Sequence, residues 1–118
     1  MKLRIQGNSL RLRLTQKDVA QLCEWGRVES RTEFSPGHDL VYLPESSLHA
    51  NSVAATFDGR AIKVTLPVFV MTEWAMSDQI SIETPPQAGL HLLIEKDFQC
   101  LHGRGEQDRD AYLNPLMS

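Results

Sequence analysis

Lys2-Leu3-Arg4-Ile5-Gln6-Gly7-Asn8-Ser9-Leu10-Arg11-Leu12-Arg13-Leu14 alternates apolar and polar residues on both sides of a Gly-Asn pair. A period of two is the mark of half-buried strands. A two-residue loop with glycine first suits a type II′ hairpin turn. Such a loop also fixes the register. Ile5 faces Leu10 and Leu3 faces Leu12 on one side of the sheet, while Arg4 faces Arg11 and Lys2 faces Arg13 on the other. Thr15 then reads as a helix N-cap, with Asp18 three residues on as an acidic variant of the capping box. The helix carries Val19, Leu22 and Cys23 on its inner side and stops at Gly26, a residue suited to a left-handed C-terminal position.

From Arg27 onward the pattern is mostly β. Val28, Ser30, Thr32 and Phe34 alternate with charged residues, Ser35-Pro36-Gly37 is a turn, and 39–43 returns as a strand. Residues 52–57 and 60–66 flank Asp58-Gly59, a hairpin signal that sets Ala55 opposite Ile62 and Val53 opposite Val64. Pro67 opens a short helix running to about Met76, with Met71, Trp74 and Ala75 on its apolar side. Residues 79–84, with Ile80 and Ile82 inward, and 90–98 are the last strands, separated by Pro85-Pro86-Gln87-Ala88-Gly89. The stretch after Cys100 is polar until Ala111-Tyr112-Leu113, a group apolar enough to dock back on the body. The expected architecture is one α+β domain over residues 1–118, a curved antiparallel sheet or barrel of about eight strands with two helices.

Composition narrows the function classes. Hydrophobic residues make up 42% and charged residues 23% of 118, which excludes a mainly disordered chain. The longest apolar stretch, near residues 66–71, is too short to span a membrane. The first residues lead into alternating charge rather than a signal-peptide core, so a cytoplasmic location without membrane association is expected. Two cysteines, Cys23 and Cys100, make no disulfide framework, and Cys100-x-His102 has no second ligand pair at a metal-site spacing. The net charge of −3 conceals a balance of +4 in residues 1–31 and −7 in the remainder. The overall acidity argues against nucleic acid as a partner.

The candidate site follows from the first hairpin. Like charges directly opposite on paired strands repel unless something neutralises them. Lys2, Arg4, Arg11 and Arg13 share one small face, and arginine forks match phosphate and carboxylate geometry. Three sources of compensation are open. Carboxylates of other strands, Glu29, Glu33, Glu83 and Glu95 among them, can pair with the cations, or solvent and salt can screen them. A phosphate-containing small molecule can occupy the face. An acidic protein surface can dock on it. On the second hairpin Lys63 stands among small residues and joins the four cations if the sheet curls. Glu83 and Glu95 opposite a basic wall are the arrangement needed to hold magnesium over a bound polyphosphate. The chain has no recognisable nucleophile elbow.

Two resemblances bear on this reading. The stretches 2–15, Trp74-Ala75-Met76-Ser77-Asp78-Gln79-Ile80 and Ile94-Glu95-Lys96-Asp97-Phe98-Gln99-Cys100-Leu101 resemble an uncharacterised family of small bacterial proteins. That likeness extends over nearly the whole chain, including 110–115, and implies no established activity. The charged first hairpin, the helices set between strands, and lysine and glutamate on one sheet face are similar to the CYTH-like triphosphate tunnel fold. This second resemblance implies polyphosphate held by Arg and Lys and metal held by carboxylates. The first strand departs from it: Lys2-Leu3-Arg4-Ile5-Gln6 lacks the paired glutamates of the enzymes' metal-binding motif, and the chain is short for a closed tunnel.

The resulting expectation is a binder of an anionic, phosphate-containing ligand at Lys2, Arg4, Arg11, Arg13 and Lys63, requiring no cofactor. The alternatives are a weak metal-dependent phosphohydrolase, which alone would bring in magnesium at Glu83 and Glu95, and a protein-interaction or structural module. Oligomeric state is not fixed by the sequence.

Overall fold

The computed structural model describes residues 1–85 and 89–98. Its elements run β1 (Lys2–Gln6), β2 (Ser9–Leu14), α1 (Gln16–Trp25), β3 (Ser30–Ser35), β4 (His38–Ser47), β5 (Ala54–Phe57), β6 (Ala61–Pro67), α2 (Val68–Ala75), β7 (Ser81–Glu83) and β8 (His91–Lys96). The first hairpin has the expected register, with Lys2 opposite Arg13, Leu3 opposite Leu12, Arg4 opposite Arg11 and Ile5 opposite Leu10. Gly7 takes a φ of 54° and Asn8 does not cross to positive φ, as a II′ turn requires and a I′ turn forbids.

Helix α1 begins and ends where its sequence signals stand. The Asp18 N–H donates to Thr15 Oγ1 at 3.2 Å and the Thr15 N–H donates to Asp18 Oδ2 at 2.9 Å, closing a reciprocal capping box. Gly26 sits in the left-handed region at φ 80° and its N–H reaches the Leu22 carbonyl. The Gly26 carbonyl accepts from the Ser46 N–H at 2.9 Å, tying the helix end to β4.

The architecture is α+β with two helices, but the strands form two four-stranded sheets rather than one antiparallel sheet or barrel. Their orders are β1-β2-β8-β7 and β3-β4-β6-β5, and no barrel closes among the described residues. Both sheets are mixed, because β2 runs parallel to β8 and β4 parallel to β6. The hairpins within each sheet are local and antiparallel. They meet through their second strands, and a parallel contact of that kind needs a long crossover. For β2 and β8 the crossover is most of the chain.

Alternation on β2, β6 and β8 turns Leu10, Leu12, Leu14, Ile62, Val64, Leu66, Leu92 and Ile94 inward. Together with Leu22 of α1 and Met71 and Trp74 of α2 they make one core shared by both sheets. Cys23 is half-buried rather than fully enclosed, with its Sγ 3.7 Å from Met71 Sδ.

Two local expectations change. The β5–β6 hairpin pairs Phe57 with Ile62 and Ala55 with Val64, two residues off the expected register. Asp58 is the reason: its Oδ1 accepts the N–H groups of Arg60 and Ala61 at 2.8 and 2.7 Å, which makes the loop longer than Asp58-Gly59 alone. A shift of two leaves every side chain on its expected face. Ile80 is exposed rather than inward, since its carbonyl accepts the Trp74 indole N–H at 3.0 Å and β7 starts only at Ser81. Trp25 at the end of α1 is exposed, whereas Trp74 is wholly buried. The expectations on Cys100, His102 and 111–113 lie outside the described residues.

Candidate functional site

With Leu10, Leu12, Leu14, Ile82, Leu92 and Ile94 turned into the core, the alternate side chains of β1, β2, β8 and β7 stand on the outer face of the first sheet. Register places Lys2, Arg13, Glu95 and Ser81 in one row across the four strands. Arg4, Arg11, Leu93 and Glu83 form the next row, and Gln6, Ser9 and His91 the third. Strand pairing therefore brings the four cations of the first hairpin together, and they line one cleft of about 290 Å³.

Compensation within this face is partial. Arg13 Nε donates to Glu95 Oε1 at 2.6 Å, and Arg11 Nε lies 3.7 Å from the same oxygen. Glu95 is largely shielded from solvent, with 16% of its side chain exposed, so this is the strongest ion pair of the face. The hydrogen bond that Arg13 donates to Glu95 is the main cause raising the Arg13 pKa; desolvation opposes it, and the charges of Glu95 and Asp97 add to it. Lys2 Nζ lies 3.7 Å from Asp97 Oδ2. Arg4 has no carboxylate within 4.0 Å among the described residues. Among the described residues the four cations thus share two carboxylates, and one carboxylate is divided between two arginines.

The conjectured metal ligands stand on this face in other roles. Glu83 Oε2 is 3.0 Å from His91 Nε2, and Glu95 holds Arg13. No group of three or more His, Cys, Asp or Glu side chains among the described residues is arranged to hold a metal ion. Lys63 belongs to the second sheet, on the outer side of β6, where its Nζ lies 3.6 Å from Glu45 Oε1. There it lines a different cleft, of about 380 Å³, with Arg27, Glu45 and Phe57. The structure does not bring Lys63 to the four cations.

Two features of the site had no local signal in the sequence. The parallel contact of β2 with β8 sets Glu95 directly beside Arg13, and it sets Leu93 beside Arg11 as an apolar floor between charged rows. A pairing across more than eighty residues leaves no periodicity from which to read it.

A model described as a family of unknown function (DUF7009) matches residues 1–116, and the chain belongs to that family. No curated protein and no solved structure matches the chain. No helix among the described residues is long and apolar enough to cross a membrane.

Proposed function

We propose that this member of the DUF7009 family, read as a bacterial cytoplasmic protein, binds a phosphate-containing anion on the outer face of its first sheet. The observation that carries the reading is the cleft lined by Lys2, Arg4, Arg11 and Arg13, where Glu95 and Asp97 are the only carboxylates within 4.0 Å of these cations among the described residues. The excess of positive charge calls for an anionic counterpart. Arg4 and Arg11, directly opposite each other, are the pair that such an anion would bridge. Glu95 acts as a positioning residue, because its short hydrogen bond holds the Arg13 guanidinium in one orientation before any ligand arrives. Held forks lose less freedom when they bind an oxyanion than free ones do.

Binding is the whole of this reading, with no turnover step. The likeness to triphosphate tunnel proteins belongs to the proposal as well, and it sets an order of preference in which tripolyphosphate exceeds pyrophosphate and inorganic phosphate. The test is a thermal-shift series with these three anions, nucleotides, citrate and sulfate at matched ionic strength, with and without magnesium. Ligand at a hundredfold excess over Kd stabilises the native state by about 2.7 kcal/mol, a rise of roughly 10 °C for a domain of this size. The expected result is a rise with phosphate compounds that Arg4→Ala and Arg11→Ala each remove. A flat series, or a rise that survives both substitutions, overturns the reading.

A further inference from the structure

The second row of the first sheet runs on past its arginines. From Arg4 and Arg11 it crosses β8 at Leu93 and ends on β7 at Glu83. Neighbouring strands lie about 4.8 Å apart, so Arg11 and Glu83 are separated by roughly 10 Å across the sheet. Leu93 between them is half-buried and shares the outer face with His91 and Glu95. His91 Nε2 lies 3.0 Å from Glu83 Oε2, and Glu83 Oε1 has no hydrogen-bond partner among the described residues. Both side chains reach solvent, with 54% of Glu83 and 35% of His91 exposed. The strip therefore passes from cations through an apolar step to a hydrogen-bond acceptor within the span of one small molecule.

Each part of the strip limits what the bound anion carries. Inorganic phosphate ends at the arginines and leaves Leu93 and Glu83 untouched. Leu93 suits a carbon skeleton, whose C–H surface leaves water when it packs there. Glu83 Oε1 suits a donor. An ammonium would supply one, but it would enter a face that already holds four cations, and like charges repel. A hydroxyl donates without bringing that charge. Resting on the reading that Arg4 and Arg11 take the phosphate, we infer that the ligand is the phosphate monoester of a sugar or other polyol. Its C–H surface lies on Leu93 and a hydroxyl donates to Glu83 Oε1. His91 is a positioning residue, since its contact with the other oxygen holds the carboxylate in place. Charge number still orders the inorganic anions among themselves; the hydroxyl contact distinguishes one monoester from another.

Calorimetric titration of the full chain at matched ionic strength tests this with glucose 6-phosphate, ribose 5-phosphate, glycerol 3-phosphate, butyl phosphate and inorganic phosphate. At least one polyol ester is expected to bind about tenfold or more tighter than butyl phosphate, the worth of one hydrogen bond to a charged acceptor. Glu83→Ala should abolish that difference while binding inorganic phosphate as well as the wild type or better, because a negative charge has left the face. Arg11→Ala should weaken every phosphate alike. Polyol esters that bind no tighter than butyl phosphate overturn the inference and leave the anion reading standing; this comparison decides alone if Glu83→Ala does not fold. A preference that survives in folded Glu83→Ala also overturns it. Binding of none of the phosphates overturns the anion reading, and the inference falls with it.

Discussion

In the first sheet the hairpin β1–β2 meets the hairpin β7–β8 through the parallel pair β2–β8; in the second, β3–β4 meets β5–β6 through β4–β6. The connectivity is the same and the inner faces serve one core. The outer faces part company at equivalent positions. Where β2 sends Arg11 and Arg13 outward, β4 carries Val41 and Leu43, both buried. Charges on the second face are matched locally. Arg31 lies 3.1 Å from Asp39, Lys63 3.6 Å from Glu45, and Arg27 3.2 Å from Glu29. On the first face Arg4 has no such partner among the described residues, and Glu95 serves two arginines. Among the described residues, one scaffold thus carries a face neutralised from within and a face with cations in excess, and the difference lies in the side chains rather than in the fold.

The largest effects should fall on what the sheets share. Leu12 beneath the first sheet and Leu66 beneath the second are both fully buried in the same core. Leu12→Ala and Leu66→Ala should each cost about 2–5 kcal/mol in urea unfolding, with a single transition seen alike by circular dichroism and by Trp fluorescence. Two separate transitions would mean that the sheets are independent units, and the comparison would then lose its common base.

Next in size is the contrast between two carboxylates. Glu95 is shielded and shared by Arg11 and Arg13, whereas Glu45 is more open and pairs with Lys63 at 3.6 Å and Arg27 at 3.9 Å. Glu95→Gln should lower stability by about 1–2 kcal/mol, because it leaves partly buried cations on a face already in positive excess. Glu45→Gln should cost less than about 1 kcal/mol. Equal losses for the two variants would erase the distinction between the faces.

This contrast also marks where sequence reading ended. The period-two run around Gly7-Asn8 determines a register because a two-residue loop permits only one, and Thr15, Asp18 and Gly26 bound α1 by capping chemistry contained within the helix ends. All of that is local. The parallel contacts β2–β8 and β4–β6 are not: each unites hairpins whose own sequences are satisfied without it. Of the site, the cluster of Lys2, Arg4, Arg11 and Arg13 was legible for the local reason. The partnership of Arg13 with Glu95 and the isolation of Lys63 on the other sheet depended on the nonlocal pairing. Asp58 misled by its chemistry, since Asp-Gly reads as a two-residue turn while its carboxylate captures two amides farther on.

Smaller still is the contribution of the joint between the sheets. Helix α1 leads from β2 of the first sheet to β3 of the second, and its capping box rests on Thr15 and Asp18. Burial works to raise the Asp18 pKa, but the Thr15 N–H, the N-terminal ammonium and the Thr15 hydroxyl outweigh it, and the net shift is downward. A carboxylate held lower in the folded state than in the unfolded one adds stability above its unfolded pKa, and that stability is lost as pH falls through the folded value. Asp18→Asn should therefore cost about 1 kcal/mol at neutral pH, and the gap to the wild type should narrow below about pH 4. A gap that held constant to pH 2 in matched melts would show that the carboxylate's charge is not what secures the helix end.

The smallest expected change in stability separates the two faces by sign. Arg4→Ala removes a cation that faces Arg11 across the strands and has no carboxylate within reach among the described residues. It should leave stability unchanged or raise it by up to about 0.5 kcal/mol, because a cross-strand repulsion is relieved. Lys63→Ala breaks the contact with Glu45 and should lower stability by a similar amount. Both differences should shrink as salt screens the charges. Measured melts at low and high ionic strength read these signs directly, and the response to tripolyphosphate should vanish in Arg4→Ala and persist in Lys63→Ala. A loss above about 1 kcal/mol for Arg4→Ala would mean that this cation is already neutralised from within. The first face would then be as balanced as the second, and the positive excess on which the anion proposal rests would be gone.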